Sequence, residues 1–475
     1  MSPAGTPKVV VVGGGLAGMA AALACADGGA SVTLVEKQAR LGGLTWSFDH
    51  DGLTMDNGQH VFLRCCSAYL DFLDRTGGAG DVAIQDRLDV TVLRPGPLRA
   101  ERAVLRRGGA RPPLHLARSL LGYQFVPSAQ RARLGLAVAA LARVDLDDPA
   151  LDEETFAGWL SRHFQGPQAI SELWDLICLP TVNLPAKEAS LAMAAKVFQT
   201  GLLRESSAAD IGWSRVPLGL LHGQKGATAL GKAGAQVHLR TNVHAVTSRS
   251  AAGGGEGGGN FTVRTSSGDL EADAVIVALP HYCTEDVLPE GALGGRKPSR
   301  LTSSPIVNVH VHFDRQVTDL PFAASLGTPA QWVFDRTSAS GADRGQYLAV
   351  SISAADSYLG SRPDRLGQEV VGALRQLFPR AADAEVLSTF VTKERHATFR
   401  AVPGSAAHRA PARTMYPGLL MAGSWTATGW PPTMESAVRS GVVAARGALV
   451  STGQRRWLPP LPEPAKPMSS DKEVS

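Results

Sequence analysis

Residues 8–36 read KVVVVGGGLAGMAAALACADGGASVTLVE. The valine run at its start has the character of a short parallel strand buried on both faces. Gly13-Gly14-Gly15-Leu16-Ala17-Gly18 then satisfies G-x-G-x-x-G, residues 20–26 continue as an alanine-rich helix, 31–35 form a second strand, and Glu36 follows directly. Each part has a physical task. Gly13 allows the tight turn, Gly15 lets the backbone come close to a pyrophosphate, and Gly18 lets helix and strand pack. Leu16 and Ala17 lie within the glycine turn, ahead of a helix whose free N–H groups and positive dipole end face the phosphates. Glu36 accepts from a ribose diol and would repel a 2′-phosphate. A glycine turn framed by two strands and an acid at this spacing predicts a dinucleotide-binding α/β domain.

The residues after Glu36 narrow the cofactor. Glu36-Lys37-Gln38-Ala39-Arg40-Leu41-Gly42-Gly43-Leu44 resembles the extended fingerprint of the flavin amine oxidase and phytoene desaturase superfamily. That resemblance implies FAD, with Lys37, Arg40, Gly42, Gly43 and Leu44 continuing along it. Residues 236–248, 261–265 and 270–279 read as strands. They resemble the second FAD segment of the superfamily, with Val243 where a backbone faces the adenine. Residues 422–441, AGSWTATGWPPTMESAVRSG, resemble its C-terminal flavin motif. Gly423 would stand at a turn after the strand, and Met434 would begin a helix whose N-terminus faces the flavin. Ser424 occupies a position where the superfamily often has an acid. Trp425 and Trp430 are apolar surfaces that would wall the ring or the mouth of the site.

The fold class expected is therefore α/β (α+β): a Rossmann-type FAD-binding domain of the glutathione-reductase and amine-oxidase kind, with an interleaved helical and β-sheet substrate domain. Residues 1–75, 225–290 and 405–450 are assigned to the FAD domain, 76–224 and 291–404 to the substrate domain, and 451–475 to a flexible tail rich in proline. The glycine-rich 251–260 reads as a floppy hairpin loop.

Composition agrees with a folded globular chain: 475 residues, 44% hydrophobic and 19% charged. A net charge of +4 gives no reason to expect a nucleic-acid partner. The five cysteines are scattered, without a Cys-x-x-Cys, as in proteins of a reducing cytosol. The first residues lack the charged and apolar regions of a signal peptide, and no run reaches the ~20 apolar residues of a membrane span. A cytoplasmic protein is expected, with a peripheral place on the inner face of the membrane as an option. That option rests on 114–144, whose apolar stretches carry arginine on one flank. They read either as a basic amphipathic surface leaning on a membrane or as a helical cap over an apolar tunnel, with the cap favoured. In the 306–313 strand Asn308, His310 and His312 share one face. Without a carboxylate or third ligand they are not expected to hold a metal.

Several blocks narrow the resemblance further: Asp56-Asn57-Gly58-Gln59-His60 followed by Cys65, Cys66 and Tyr69, then 179–192, 196–203 and 212–221. They resemble the hydroxysqualene dehydroxylases, bacterial enzymes of squalene and hopanoid synthesis. The resemblance implies an FAD enzyme acting on the C30 isoprenoid alcohol hydroxysqualene, with upstream enzymes of the pathway as possible partners. Replacing an allylic C–OH by C–H needs hydride and loss of water, and a proton donor helps the hydroxyl leave. His60, two residues after the Gly58 that should abut the flavin, is the candidate donor because imidazole titrates near neutrality. Asp56 would orient it or satisfy a turn. Asp210 and His222 are weaker alternatives. Carotenoid or phytoene-type desaturation uses the same frame in the opposite redox direction. Amine oxidation ranks low because 395–417 shows no clear aromatic cage, and a flavin-holding scaffold is the non-enzymatic alternative.

Overall fold

The computed structural model describes residues 6–249 and 260–454. Its central parallel sheet has the strand order Gln236–His238, Ser31–Val35, Lys8–Val12, Ala274–Val277, Leu419–Met421. The valines of Lys8–Val12 are buried, as a central parallel strand requires. The helix Leu16–Asp27 begins four residues earlier than 20–26, directly on the glycine turn, so Gly18 lies inside its first turns. A Cβ on Gly18 would sit 1.8 Å from the Gly13 carbonyl, so helix and turn pack backbone to backbone. The C-terminal helix Met434–Ser451 crosses this helix equally closely: a Cβ on Gly441 would lie 2.2 Å from the Ala17 carbonyl.

Beside the parallel sheet stands a three-stranded antiparallel sheet, Val243–Ser248, Phe261–Thr265 and Gly268–Ala272. Residues 270–279 read as one strand in the sequence, but the chain divides there between two sheets. The break is at Asp273, whose N–H donates to the Lys8 carbonyl (2.9 Å) and whose carboxylate accepts from the Lys8 N–H (2.8 Å). Most of the glycine-rich 251–260 stretch, and the tail from Arg455, lie outside the described residues.

The second large sheet has seven strands in the order Val386–Phe399, Ser303–Phe313, Gln346–Ser353, Trp332–Asp335, Phe322–Ser325, Asp89–Arg94, Glu101–Arg106. The last two lie in the chain just ahead of the 114–144 stretch that the sequence suggests as a helical cap. They pair antiparallel with each other, and Asp89–Arg94, whose four central residues are all buried, pairs in parallel with Phe322–Ser325. The helical part follows. Ser128–Leu141, Phe156–Arg162, Asp175–Val182 and Leu191–Phe198 surround an aromatic core of Phe156, Trp159, Trp174 and Phe198. Three π-helical turns interrupt this region; the one at Gly219–Gln224 carries His222.

Candidate functional site

Four strands of the parallel sheet end together, and their carboxyl ends form the crevice where ligands of such sheets sit. The Gly13 N–H donates to the Val35 carbonyl, Ala278 to Val12, and Ala422 to Val277. Gly13 has φ +105°, and a Cβ there would lie 2.5 Å from the Ala278 carbonyl, so only glycine fits this turn. The helix Leu16–Asp27 begins with no side-chain cap and no acid in its first turn, which leaves its N–H groups available to an anion. Gly42 and Gly43 fold back over this turn. The Gly42 N–H donates to the Gly14 carbonyl at 2.9 Å, and a Cβ on Gly43 would stand 2.9 Å from the Gly15 Cα. Arg40 holds the return by donating to the Gly43 carbonyl at 3.1 Å while its guanidinium lies 4.4 Å over Trp46. Leu44 and Lys37 are exposed.

Glu36 is buried at the end of its strand. One carboxylate oxygen accepts from the Gly14 N–H and the other from the Gln38 N–H, both at 2.7 Å. Each oxygen retains lone-pair capacity for a further donor such as a ribose hydroxyl. The Thr241 N–H donates to the Glu36 carbonyl, which brings Val243, two residues on and buried, to the same end of the sheet.

The opposite wall is the 422–441 stretch. Gly423 has φ +137° and donates to the Ser440 hydroxyl at 2.8 Å. Trp425 is buried, with its indole N–H on the Leu279 carbonyl at 2.9 Å. Buried Arg409 gathers the loop by donating to the carbonyls of Trp425, Thr426 and Trp430. Burial pulls its pKa down to about 10, so it remains charged at neutral pH. Trp430 lies between the cations of Lys196 (5.1 Å) and Arg439 (4.6 Å). Thr433 caps the helix at Met434 by accepting from the Ser436 N–H. Ser424 is half-buried and its carbonyl takes the Ser436 hydroxyl at 3.0 Å. Glu435 turns away and accepts from the N–H groups of Ala68 and Tyr69, so it caps the helix Ser67–Thr76 and binds that helix to the C-terminal one.

The 56–60 loop links the short strands Leu53–Asp56 and Val61–Leu63 and is bonded to the seven-stranded sheet. Asp56 does not hydrogen-bond His60; its carboxylate accepts from the Ser47 hydroxyl, the Leu218 N–H and Arg336 at 3.0 Å. Both partners of this ion pair are almost fully buried, so Asp56 serves the turn and reaches His60 only through space. The Asn57 carbonyl accepts from Asn308 Nδ2 (3.1 Å) and the Thr392 hydroxyl (2.8 Å), both on the seven-stranded sheet. A Cβ on Gly58 would lie 2.9 Å from Asn308 Nδ2 and would push that amide aside. His60 Nδ1 donates to the Gly58 carbonyl at 3.0 Å in the tautomer that satisfies both atoms, which leaves Nε2 as an acceptor. Burial lowers its pKa, and the Gly58 bond and the Asp56 charge oppose that only in part. His60 is thus held as neutral imidazole at pH 7.

Asp210 is buried between Arg64 and Arg107, pairs with both and accepts from the Leu88 N–H. His222 is buried with Nε2 2.8 Å from the Tyr69 hydroxyl, and burial takes its pKa down to about 3. The polar row on the 303–313 strand divides among unrelated partners. Asn308 holds the 56–60 loop, His310 bonds Tyr347 at 2.6 Å, and His312 bonds the Arg344 carbonyl.

The residues present fit FAD. The uncapped helix start, the bare Gly15–Gly43 approach and Glu36 form a cradle at one end of the crevice. Near Gly58 two buried acceptors, Gln59 Oε1 and Asn308 Oδ1, have no protein donor and offer bonds to a bound group. The model of one family, the flavin containing amine oxidoreductases, matches residues 16–449. The chain belongs to that family. It is an FAD-dependent oxidoreductase. Within curated relatives, it is 25% identical over 457 residues to hydroxysqualene dehydroxylase of Zymomonas mobilis, covering 92% of this chain and 98% of that one. It is 23% identical over 482 residues to zeta-carotene desaturase of Synechocystis sp., covering 94% and 97%. Among solved structures, putrescine oxidase bound to putrescine superposes with TM-score 0.67 at 20% identity, covering 94% of this chain and all of that one. At that identity the superposition speaks for the shared family fold.

Between the helical part and the seven-stranded sheet runs a groove of about 430 Å³, lined by Leu176, Leu179, Pro180, Leu326 and Trp332 with Asp175 at its edge. From Trp332 a line of rings leads inward: Trp332 to Phe322 at 6.2 Å, and Phe322 to Trp213 at 5.6 Å. Trp213 pairs with Val61, next to His60.

Proposed function

We propose that this family member removes the hydroxyl of hydroxysqualene to give squalene. The observation that carries the reading is the end-to-end match to hydroxysqualene dehydroxylase. The inward line of apolar rings from the groove to the strand after His60 supports it. A C30 isoprenoid binds by burial of apolar surface at about 25 cal/mol per Å², and the groove and ring line offer such surface.

The conversion puts hydrogen on the carbon that bore the hydroxyl and releases water, so it consumes one hydride and one proton. Reduced FAD, when bound, supplies hydride chemistry. The protein positions and protonates. Glu36, Arg40, Gly42, Gly43, Val243, Gly423 and Met434 are the residues proposed to hold the cofactor, with the uncapped helix at Leu16 taking the pyrophosphate. His60 Nε2 is the proposed carrier of the proton to the departing hydroxyl. It is poised to accept a proton and, because burial disfavours its charged form, to give it up readily. Asp56, through its charge alone, supports the protonated form of His60.

The second reading, desaturation of a carotenoid-type polyene, draws support from the match to zeta-carotene desaturase. One pair of assays decides. Photoreduced enzyme incubated anaerobically with hydroxysqualene should yield squalene, while oxidised enzyme should leave phytoene and zeta-carotene unchanged. Desaturated product without squalene would give the reaction to the second reading.

A further inference from the structure

The charge of this chain is concentrated. Between Leu98 and Arg143 there are nine arginines, no lysine and one glutamate, whereas the whole chain carries only +4. Part of that charge is spent internally: Arg106 pairs with Asp89, and Arg107 with Asp210. Arg111, Arg118 and Arg133 are exposed and make no ion pair among the described residues.

The same stretch leaves large apolar side chains in solvent. Leu114 is 67% exposed, Leu121 65%, Leu136 63% and Phe164 63%. These residues sit on three segments that hydrogen bonds tie together. The Ser119 hydroxyl donates to the Arg106 carbonyl, Arg131 donates to the Leu121 carbonyl, and Gln165 donates to the Arg133 carbonyl. The helix Ser128–Leu141 buries Leu134, Ala137 and Leu141 on one face, so its Arg133–Leu136 side is turned outward by the packing itself. Phe164 is a bulky residue held at φ +61°, a conformation a phenylalanine rarely adopts, and its ring projects into solvent. A scattered exposed leucine needs no explanation, but four large apolar groups on one bonded face among unpaired arginines do. In the sequence an acidic run, beginning at Asp145, follows this arginine-rich stretch directly.

We infer that this face, with Leu114, Leu121, Leu136 and Phe164 as inserting groups and Arg111, Arg118 and Arg133 as headgroup contacts, docks the protein on an anionic lipid bilayer. The pattern is that of an interfacial surface. Apolar groups enter the boundary between headgroups and chains, while arginines stay at the phosphates. No helix of the described residues is long and apolar enough to cross the membrane, so the attachment is in the plane. The helix Ser128–Leu141 of this face also reaches towards the groove: Gln130 Oε1 accepts from the Ala169 N–H, two residues before the groove residue Ser171. Arg94 and Glu101, at the base of the hairpin that carries Leu98, pair with each other, and Arg94 also reaches Glu172, beside the groove residue Ser171. The Leu93 carbonyl accepts from the N–H of Leu326, a groove residue. Docking there would set the groove beside the lipid, where an apolar substrate of any length is dissolved.

The test is co-sedimentation of the full-length holoprotein with extruded vesicles of phosphatidylcholine, alone and with phosphatidylglycerol. Binding is expected on the anionic vesicles, to weaken as salt is raised, and to be slight on the neutral ones. Leu136→Ser with Phe164→Ser should reduce it by about tenfold or more, and Arg118→Glu with Arg133→Glu likewise. Each variant should keep its flavin absorbance and melting temperature. The second pair guards against a folding defect in the first. Absence of binding to anionic vesicles, wild-type binding by both folded double variants, or retention on DNA but not on vesicles would overturn the inference.

Discussion

Asn308 Nδ2 donates to the Asn57 carbonyl across 251 residues of sequence. This bond, with that of Thr392 to the same carbonyl, ties the seven-stranded sheet to the loop that carries Gly58 and His60. It makes loop position depend on that sheet. Asn308→Ala together with Thr392→Val should leave the Asn57 carbonyl buried without a donor, at about 1–3 kcal/mol. The expected result is retained FAD with kcat/KM down about tenfold or more. Loss of the flavin with no change in the turnover of the remaining holoenzyme would contradict this.

The Glu36 carboxylate is already braced by two N–H groups of the glycine turn and the segment after it. It is therefore fixed in place before a ribose arrives. Glu36→Ala removes the acceptor and leaves the Gly14 N–H, which is buried, without its partner. Affinity of the apoprotein for FAD, read by quenching of flavin fluorescence, should fall about 10- to 100-fold. Unchanged affinity would remove Glu36 from the cofactor's contacts.

What could be read from the sequence was local or followed a repeating spacing. The turn from Gly13 to Gly18, the acid at Glu36 and the helix start at Met434 lie within stretches whose chemistry is set by neighbours. The residues that escaped notice act across the chain. Arg336 meets Asp56 over 280 residues, Glu435 caps Tyr69 over 366, and Arg409 collects the loop carbonyls from another segment. Asn308 was visible as a member of an alternating polar row, but its partner was not. The periodicity gives the face of a strand and says nothing of which loop will lie on it. Asp56 shows the same limit. The sequence leaves it two roles, orienting His60 or satisfying a turn, and its contacts with Ser47, Leu218 and Arg336 fit the turn. The strand at 89–94 was missed because its alternation is short and sits in a block dominated by helical signals.

For His60 the protonation state is the quantity to measure. Burial keeps its pKa below the ordinary 6.5. If its protonated form delivers the proton, kcat for dehydroxylation should rise as pH falls through neutrality and level off below pH 6.5. His60→Gln should lower kcat by about 10²- to 10⁴-fold and abolish that rise. A variant that keeps kcat within about threefold and the same pH profile would show that His60 only holds its loop.

Stability should depend on pH through a few buried groups with opposite signs. Burial lowers the pKa of His222 to about 3, His281 to about 4 and His310 to about 3, each from 6.5. In the unfolded chain these imidazoles take up protons below pH 6.5 while in the folded chain they do not, so they weaken the fold as pH falls from 6.5 towards 4. Asp175 acts the other way. Burial lifts its pKa from 3.8 to about 6, so the folded chain holds a proton that the unfolded chain has lost, and stability is gained as pH falls from 6 to 3.8. Near pH 5 three protons taken up by the unfolded chain against one held by the folded chain give a net slope of about 3 kcal/mol per pH unit. Asp175→Asn keeps an oxygen for the Ala186 N–H that Asp175 now receives and removes the opposing proton. It should raise unfolding free energy at pH 7 by about 1–3 kcal/mol, have little effect below pH 4, and steepen the slope near pH 5 to about 4 kcal/mol per pH unit. Urea titrations at pH 7, 6, 5 and 4 measure all three quantities. A flat profile for the natural chain, or an equal shift of the variant at every pH, would show that these groups are not held in the protonation states their burial implies.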